Sequence, residues 1–172
     1  VKETRKGYGS ACLKGIDELD APDIVVFIDG DFSDFPEEIV LLIGPIEAGE
    51  KDFVLGSRMI FPKSQLALLP QARYGNRLAI LLIKLFFKYE FTDLGPFRAI
   101  RYSSLISLGM QDRDFGWTVE MQIKAVRNGL RIHEVPVNYR KRIGISKITG
   151  TISGTIRAGT KIIYTIFKYL LP

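Results

Sequence analysis

The 172-residue chain is built around the stretch Ile24-Val25-Val26-Phe27-Ile28-Asp29-Gly30-Asp31. Its apolar, mostly β-branched residues predict a strand that is buried on both faces. The strand leads directly into two carboxylates separated by one glycine, and open α/β sheets bind ligands beyond the carboxyl ends of their strands. Two aspartates aimed at one point repel each other unless a cation lies between them. Because carboxylate oxygens suit Mg²⁺ or Mn²⁺, Asp29 and Asp31 are the predicted metal ligands.

An Asp-Gly-Asp run also occurs in tight turns and in calcium-binding loops. A tight turn stays open on the dipeptide alone, since Asp-Gly is also typical of hairpins. An EF-hand loop is excluded by its spacing. Counted from Asp29, the position of the required glycine holds Asp34, and the position of the bidentate glutamate holds Val40.

The continuation of this run favours the ligand-binding interpretation. The segment Asp29-Gly30-Asp31-Phe32-Ser33-Asp34-Phe35-Pro36-Glu37 resembles the DxD segment of the inverting GT-A glycosyltransferases of family 2. The likeness is greatest to the dolichyl- and polyprenyl-phosphate mannosyl- and glucosyltransferases. Further segments match this family in the same order: Lys6-Gly7-Tyr8-Gly9-Ser10, Gly56-Ser57-Arg58, Asp93 to Arg101, and Arg142 to Lys147. The order is more specific than any single segment, and it extends over nearly the whole chain.

The resemblance implies an α/β protein with the GT-A fold, a mixed sheet flanked by helices. The Gly-rich turn follows the third strand in that family, so we expect this chain to lack the N-terminal strands of the fold. Residues 1–150 would then be the C-terminal two-thirds of the catalytic domain, and residues 151–172 an amphipathic basic helix. The predicted later strands are Asp52–Gly56, Phe97–Tyr102 and Arg131–Val137. One predicted helix follows the Gly-rich turn and ends near Leu19. Further helices are predicted over Glu37–Leu42, Gln71–Phe87 and Thr155–Leu171, and another begins near Phe115.

The resemblance also implies which residues form the site. The metal ligands would be Asp29 and Asp31, and the catalytic residues would be Asp31, Glu120 and Arg142. Donor and acceptor binding is expected from Arg58, Asp93, Arg98, Arg101, Ser146 and Lys147. Structural roles are the alternative, because a strand arginine near an aspartate can form an ion pair and a basic loop can simply be solvated.

The acceptor is inferred from a departure from the family pattern. Many members carry a Glu-Asp pair at the start of the helix that begins here near Phe115, but Trp117 and Thr118 occupy those positions. A hydroxyl acceptor needs a general base, whereas a phosphate acceptor is already anionic near neutral pH. The departure favours transfer from a UDP- or GDP-hexose to a lipid phosphate. The alternative is a glycan or other hydroxyl acceptor, with Glu120 or Asp114 as the base.

Composition excludes several other classes. The single cysteine, Cys12, excludes a disulfide framework, and the single histidine, His133, leaves a zinc site without partners. The net charge is +5, and no acid follows Glu134, which favours phosphates or acidic lipid surfaces as partners. Nucleic-acid binding is disfavoured because the basic residues cluster without interleaved aromatic side chains.

Two helical segments point towards a membrane surface or a partner subunit. Leu78–Phe87 is apolar nearly all round, which predicts burial against the core or a partner, or contact with lipid. The C-terminal helix is amphipathic and basic, which favours an anionic membrane over the cap of a dimer. No apolar run is long enough to span a bilayer. We therefore expect a cytoplasmic protein, peripheral on the cytoplasmic membrane face. A homo-oligomer and a non-catalytic membrane or assembly module stay open as alternatives.

Overall fold

The structure, a computed structural model, describes residues 1–144 and 151–170 and alternates helices with strands. The strands are β1 (Ile24–Phe27), β2 (Phe53–Ser57), β3 (Arg98–Arg101) and β4 (Ile132–Pro136). The helices are α1 (Tyr8–Asp17), α2 (Ile39–Glu47), α3 (Pro62–Ala67), α4 (Pro70–Phe87), α5 (Tyr102–Leu108), α6 (Trp117–Arg127) and α7 (Ile152–Lys168). A short 3₁₀ turn over Pro36–Glu38 leads into α2.

The described strands form one mixed sheet in the order β1-β3-β2-β4. β3 is antiparallel to both β1 and β2, while β2 and β4 are parallel. β1, β2 and β4 therefore run in the same direction and end at the same edge of the sheet, where β3 begins. We call this the C-terminal edge, and it is the edge at which such sheets bind ligands.

β1 is less buried than the sequence predicts. Val25 is 9% exposed, but the other residues of the strand are only half-buried. Within the described residues β1 pairs with β3 alone, so its other side has no neighbouring strand. Both faces of β1 contact the core as predicted, since Val25 and Phe27 pack against one cluster and Ile24 and Val26 against the other, but only Val25 is fully buried.

Helices cover both faces of the sheet, as predicted. On one face, α2 packs against Val54 through Leu42 and Ile46. On the other face, α4, α6 and α7 surround the larger core, which includes Phe53 and Ile100. The sheet is thus held between two helical layers, which fixes its C-terminal edge as a rigid base for polar groups.

Local chemistry explains several helix ends. Pro36 opens the 3₁₀ turn before α2, where its missing N–H leaves no bond unmade. Gly129 follows the end of α6 with φ at 66°, a conformation that glycine adopts without a side-chain clash. Thr151 caps α7 by accepting a hydrogen bond from the Gly154 N–H at 3.0 Å. The helix after Phe35 is longer than predicted and ends at Glu47.

Helices α4 and α7 lie together beside the site. The buried face of α4 carries Asn76, Ala79 and Ile83, and its opposite face is exposed. α7 packs against α4 and α6, with Ile166 fully buried, so it belongs to the core. The domain boundary at residue 150 stays a prediction. Among the described helices, none has the length and apolarity needed to cross a bilayer.

Candidate active site

Segments attached to all the described strands meet at the C-terminal edge. Asp29 and Asp31 follow β1, Arg58 follows β2, and Arg142 lies beyond β4. Asp93 lies on the segment that leads into β3. The topology therefore brings these predicted site residues together from distant parts of the chain, as expected for strand ends at one edge.

The carboxylate loop, residues 29–35, gives Asp29 and Asp31 defined surroundings. Asp31 Oδ1 accepts hydrogen bonds from the Ser33 N–H, at 3.0 Å, and from the Ser33 hydroxyl. Asp31 Oδ2 lies 3.1 Å from Nη2 of Arg142. Burial, followed by the charge of Asp31, raises the pKa of Asp29. Two partly buried carboxylates that repel each other form a site that favours a cation.

This donor set fits a divalent cation that takes few ligands from the protein. In residues 1–144 and 151–170, no group of three or more histidine, cysteine, aspartate or glutamate side chains has the arrangement of a metal cage. Mg²⁺ and Mn²⁺ commonly take one or two carboxylates and complete their shells with water and phosphate oxygens. Asp29 and Asp31 suit that kind of coordination, in which the substrate supplies further ligands.

Asp34 is a further acid of the carboxylate loop that sequence reasoning did not assign. Its side chain is 2% exposed, Oδ2 accepts a hydrogen bond from the Asp29 N–H at 3.3 Å, and Oδ1 has no partner among the described residues. Burial, partly offset by Arg58, raises the pKa of Asp34 to about 6. The available signal was a third acid near Asp31, but spacing alone does not distinguish a buried acid from a solvated turn residue.

We expect Asp34→Asn to stabilise the metal-free protein at neutral pH. A carboxyl whose pKa is raised on folding binds its proton more tightly in the folded state, so ionisation destabilises the fold as pH rises. With a rise from 3.8 to about 6, the variant gains about 3 kcal/mol at pH 7, and the gain falls below about 1 kcal/mol near pH 4. Urea unfolding at both pH values measures this gain. The exposed Asp20→Asn serves as control, and a loss of stability at pH 7 would contradict the assignment.

Arg58 and Asp93 form a bidentate ion pair. Nε and Nη2 of Arg58 donate to Oδ2 and Oδ1 of Asp93 at 2.7 and 2.9 Å. Burial opposes the charge on both groups, but their attraction prevails, raising the pKa of Arg58 and lowering the pKa of Asp93. Asp93 is 1% exposed, whereas Arg58 reaches the groove described below. Only Arg58 of the pair is therefore placed to touch a substrate, and Asp93 positions it.

The buried side chains of Asn76 and Gln122 and the half-buried side chain of Glu134 hold the backbone of the segment from Thr92 to Leu94. Their contacts are Asn76 Oδ1 with the Leu94 N–H (2.9 Å), Gln122 Nε2 with the Asp93 carbonyl (3.0 Å), and Glu134 with the N–H groups of Thr92 (2.8 Å) and Asp93 (3.2 Å). Sequence reasoning missed Asn76 and Gln122, because one buried amide in a helical pattern gives no signal of its partner. This segment is a rigid wall of the site.

Arg98 belongs to that wall and not to an acceptor surface. It is 1% exposed, and Nη1 donates to the Thr118 carbonyl at 3.1 Å. Its Nη2 donates to the carbonyls of Leu94, at 3.4 Å, and Gly95. Burial lowers the pKa of Arg98 to about 10. The structure therefore corrects the predicted acceptor contact, since backbone carbonyls occupy this guanidinium.

Arg101 lies at the opposite edge of the sheet. It pairs with Ile24, the first residue of β1, because β3 runs antiparallel to β1. Its Nη2 donates to the Ile46 carbonyl at 2.9 Å, and its Nε lies 3.9 Å from Asp52. The predicted role of Arg101 in acceptor binding is therefore corrected to a structural one.

Glu120 also has a structural role. It is fully buried, and Oε1 accepts hydrogen bonds from the Gln111 N–H (2.9 Å) and the Tyr169 hydroxyl (2.6 Å). Oε2 accepts from the Asp112 N–H at 2.6 Å, and Nζ of Lys124 lies 2.8 Å from Oε1. A general base needs a free lone pair within reach of the acceptor. The predicted catalytic role is corrected, because Glu120 instead ties the loop before α6 to the end of α7.

The basic segment, residues 139–144, places Arg142 at the carboxylate loop. The Arg142 side chain is 41% exposed, so its guanidinium is open to an anion while it contacts Asp31. The Ile143 N–H donates to the Asp31 carbonyl at 2.9 Å. Ser146 and Lys147 lie outside the described residues, and their phosphate contacts stay predictions.

A groove of about 320 Å³ opens between α4 and α7 and reaches the carboxylate loop. Asp29 and Arg58 lie in its lining, which is otherwise mainly small or apolar, with Leu68, Ala72, Gly75, Ala158 and Ile162 among its residues. Among the described residues that line it, Asp29 is the only carboxylate, and Asp114 is not part of the lining. The groove thus joins a charged end to apolar walls.

Comparisons with known proteins agree with this arrangement. Residues 1–109 match the family model "Glycosyl transferase family 2". An uncharacterized glycosyltransferase of Mycobacterium tuberculosis is 33% identical over 159 residues, which cover 92% of this chain and 71% of that protein. The undecaprenyl-phosphate mannosyltransferase of Micrococcus luteus is 29% identical over 161 residues, which cover 89% of this chain and 65% of that protein.

A solved structure shows the same fold. Glucosyl-3-phosphoglycerate synthase from Mycobacterium tuberculosis, in complex with Mn²⁺, uridine diphosphate and phosphoglyceric acid, matches with a TM-score of 0.76 at 20% identity. The match covers 99% of this chain and 56% of that chain, so this sequence spans about half of the solved protein. The likeness confirms the GT-A fold. The family match and the 33% identity over 92% of the sequence show that the chain belongs to glycosyl transferase family 2.

Proposed function

We propose that this chain is the catalytic part of a metal-dependent inverting glycosyltransferase that moves a hexose from a nucleotide sugar to a polyprenyl-phosphate-type lipid. The groove between α4 and α7 carries the proposal, because its charged end and apolar walls suit the two parts of such an acceptor. A phosphate suits Arg58, and a hydrocarbon chain suits the walls. The relative from Micrococcus luteus, named for undecaprenyl phosphate, supports the same acceptor class.

The lining of the groove favours phosphate over hydroxyl as the attacking group. Asp29 is its only described carboxylate, and the proposal assigns Asp29 to the metal. Glu120 has its oxygens occupied by two N–H groups, a hydroxyl and a lysine. A phosphate monoester is anionic near neutral pH, so it attacks without a general base.

The residues of the site then divide into binding and orienting roles. Asp29 and Asp31 would hold Mg²⁺ or Mn²⁺, which supplies positive charge to the diphosphate leaving group when bound. Arg142 binds diphosphate oxygens beside Asp31, and Arg58, fixed by Asp93, orients the acceptor phosphate. An acceptor oxygen attacks the anomeric carbon opposite the diphosphate. The new carbon–oxygen bond forms as the bond to the diphosphate breaks, and the configuration inverts.

A matched pair of acceptors tests this proposal in the full-length protein. We expect transfer from a GDP- or UDP-hexose with Mn²⁺ to a polyprenyl phosphate, and none to the corresponding polyprenol, which lacks only the phosphate. Product extraction into organic solvent, with a radiolabelled sugar, measures both reactions. Equal transfer to the polyprenol or to a soluble glycan would contradict the proposal of a phosphate acceptor and would support a hydroxyl acceptor instead.

The outer face of α4 suits contact with the membrane that would hold this acceptor. It exposes a stripe at helical spacing: Tyr74 (71%), Leu78 (47%), Leu81 (60%) and Leu85 (56%). Between Asp52 and Glu90 the chain has no acidic residue but has several lysines and arginines. A second copy on this face would bring like charges together, whereas an anionic lipid surface complements them. The proposal therefore includes a peripheral position on the cytoplasmic membrane face, and a homo-oligomer is not required.

The same assay tests the membrane contact. We expect Leu81→Glu to lower transfer to polyprenyl phosphate in anionic vesicles by about tenfold, because a charge on the stripe opposes lipid contact. Transfer to a short, water-soluble prenyl phosphate should not change. Ile106→Glu, at an exposed position on α5, is the matched control. Equal losses with both acceptors would argue against the membrane role of α4.

A further inference from the structure

The basic segment is fastened to the carboxylate loop by the main chain. The Arg140 N–H donates to the Ser33 carbonyl at 3.0 Å, and the Ile143 N–H donates to the Asp31 carbonyl at 2.9 Å. Arg142 lies between these two attachments, and its guanidinium is 3.1 Å from Asp31. The place of Arg142 therefore depends on how firmly the segment is held to the loop.

Arg140 supplies a side-chain anchor at the first attachment. Its guanidinium carbon lies 3.4 Å from the ring centroid of Phe32 and 4.3 Å from that of Phe35. Nε of Arg140 also donates to the Phe32 carbonyl at 2.6 Å. A planar cation between two aromatic faces, with one N–H bonded to the backbone, is held in both distance and orientation.

The backbone of Phe32 shows that this contact is built into the loop. Its φ is 68°, in the left-handed region that non-glycine residues rarely adopt. Such a conformation persists when the surrounding structure holds it in place. The Phe32 ring is 57% exposed, and the Arg140 guanidinium stacks on it. The loop thus holds a strained conformation that presents an exposed ring to Arg140.

We propose that Arg140 is a positioning residue for the transfer reaction. Its stacking between Phe32 and Phe35 holds the basic segment on the carboxylate loop, so that Arg142 stays beside Asp31 and meets the diphosphate. This role rests on the proposed function of Arg142. Arg140 itself is not assigned a substrate contact, because its guanidinium is engaged by the two rings and a carbonyl.

Kinetics of the full-length enzyme distinguish positioning from a general loss of stability. We expect Arg140→Ala to raise the KM for the nucleotide sugar about tenfold and to change kcat less than about threefold. In an Arg142→Ala background, Arg140→Ala should raise the KM further by less than about twofold, because its effect on KM depends on Arg142. Lys141→Ala, which removes an exposed charge from the same segment, should leave KM unchanged. Equal losses in both backgrounds would overturn the proposal.

Hydrogen–deuterium exchange tests the anchor without any assay of transfer. We expect faster exchange at the Ile143 amide in Arg140→Ala, wild-type exchange in Lys141→Ala, and an intermediate rate in Arg140→Lys. If Arg140→Ala does not fold, Phe35→Leu removes one ring of the sandwich and should have the same effect. Unchanged exchange at Ile143 would overturn the anchor. Faster exchange in a protein that transfers no sugar would remove the proposed function and retain the anchor.

Discussion

Asp31→Asn should lower sugar transfer by on the order of a thousandfold or more while the protein stays folded. Asparagine has nearly the same shape, and its Oδ1 can still accept the hydrogen bonds from Ser33 that shape the loop. The change removes the negative charge that would bind the metal and that lies 3.1 Å from Arg142. Initial rates over a Mn²⁺ titration measure the loss, and a thermal unfolding curve confirms the fold.

A neighbouring substitution controls for disturbance of the carboxylate loop. Ser33→Ala removes the hydroxyl that donates to Asp31 but keeps the charge of the carboxylate. We expect it to lower the rate by less than about tenfold, because the charge that would bind the metal is kept and only one hydrogen bond is lost. Normal turnover by Asp31→Asn would remove the metal assignment. A loss of similar size in both variants would mean that loop shape, and not charge, limits the reaction.

The resemblance to the family predicted which residues form the site, and the strand directions in the structure explain why several of them meet. Asp29, Asp31 and Arg58 follow parallel strands, and parallel strands in one sheet end at one edge. The order of motifs then predicted the fold that the comparison confirms. The apolar runs located the strands and their polar ends, whereas the relative directions of the strands come from the structure.

The roles of individual charged residues were harder to predict, because a role depends on partners that sequence spacing does not specify. Glu120 was the only acid near the positions of the family's acidic pair, yet its partners include Tyr169 at the far end of α7. Arg101 matched a motif, yet the antiparallel direction of β3 carries it to the edge opposite the site. Arg98 lies at the C-terminal edge, but its guanidinium donates to backbone carbonyls of the wall of the site. The motifs predicted the region of the chain that forms the site, whereas tertiary packing determines which side chains of that region can face a substrate.

The exposure of α4 illustrates the same limit. Its run of apolar residues predicted burial or lipid contact, and periodicity could not separate the two. The structure shows that Ala79 and Ile83 are buried while Leu81 and Leu85 face outward. Which residues of α4 are buried depends on where α6 and α7 pack against it, and that is a property of the whole fold.

The ion pair between Arg58 and Asp93 supports the prediction with the largest effect on stability. Arg58→Met would leave the buried Asp93 carboxylate with only backbone donors, the N–H groups of residue 58 and Leu94. Removing one partner of a buried pair costs about 3–5 kcal/mol, so we expect a loss of about 3 kcal/mol at pH 7. The double variant Arg58→Met/Asp93→Asn should be less destabilised than the sum of the single changes, by about 1.5 kcal/mol or more.

The stability of Arg58→Met should also change with pH in the direction opposite to that of the wild type. In the wild type, Arg58 lowers the pKa of Asp93. The ionised Asp93 therefore stabilises the fold at pH values above its pKa in the unfolded chain, and this stabilisation is lost as the pH falls through its lower pKa in the folded protein. In Arg58→Met, burial without the cation raises that pKa, and stability should instead increase as pH falls from about 7 to about 5. Urea unfolding across this range measures the reversal. A variant whose stability does not change between these pH values would show that backbone donors suffice for Asp93 and that the pair adds little to the fold.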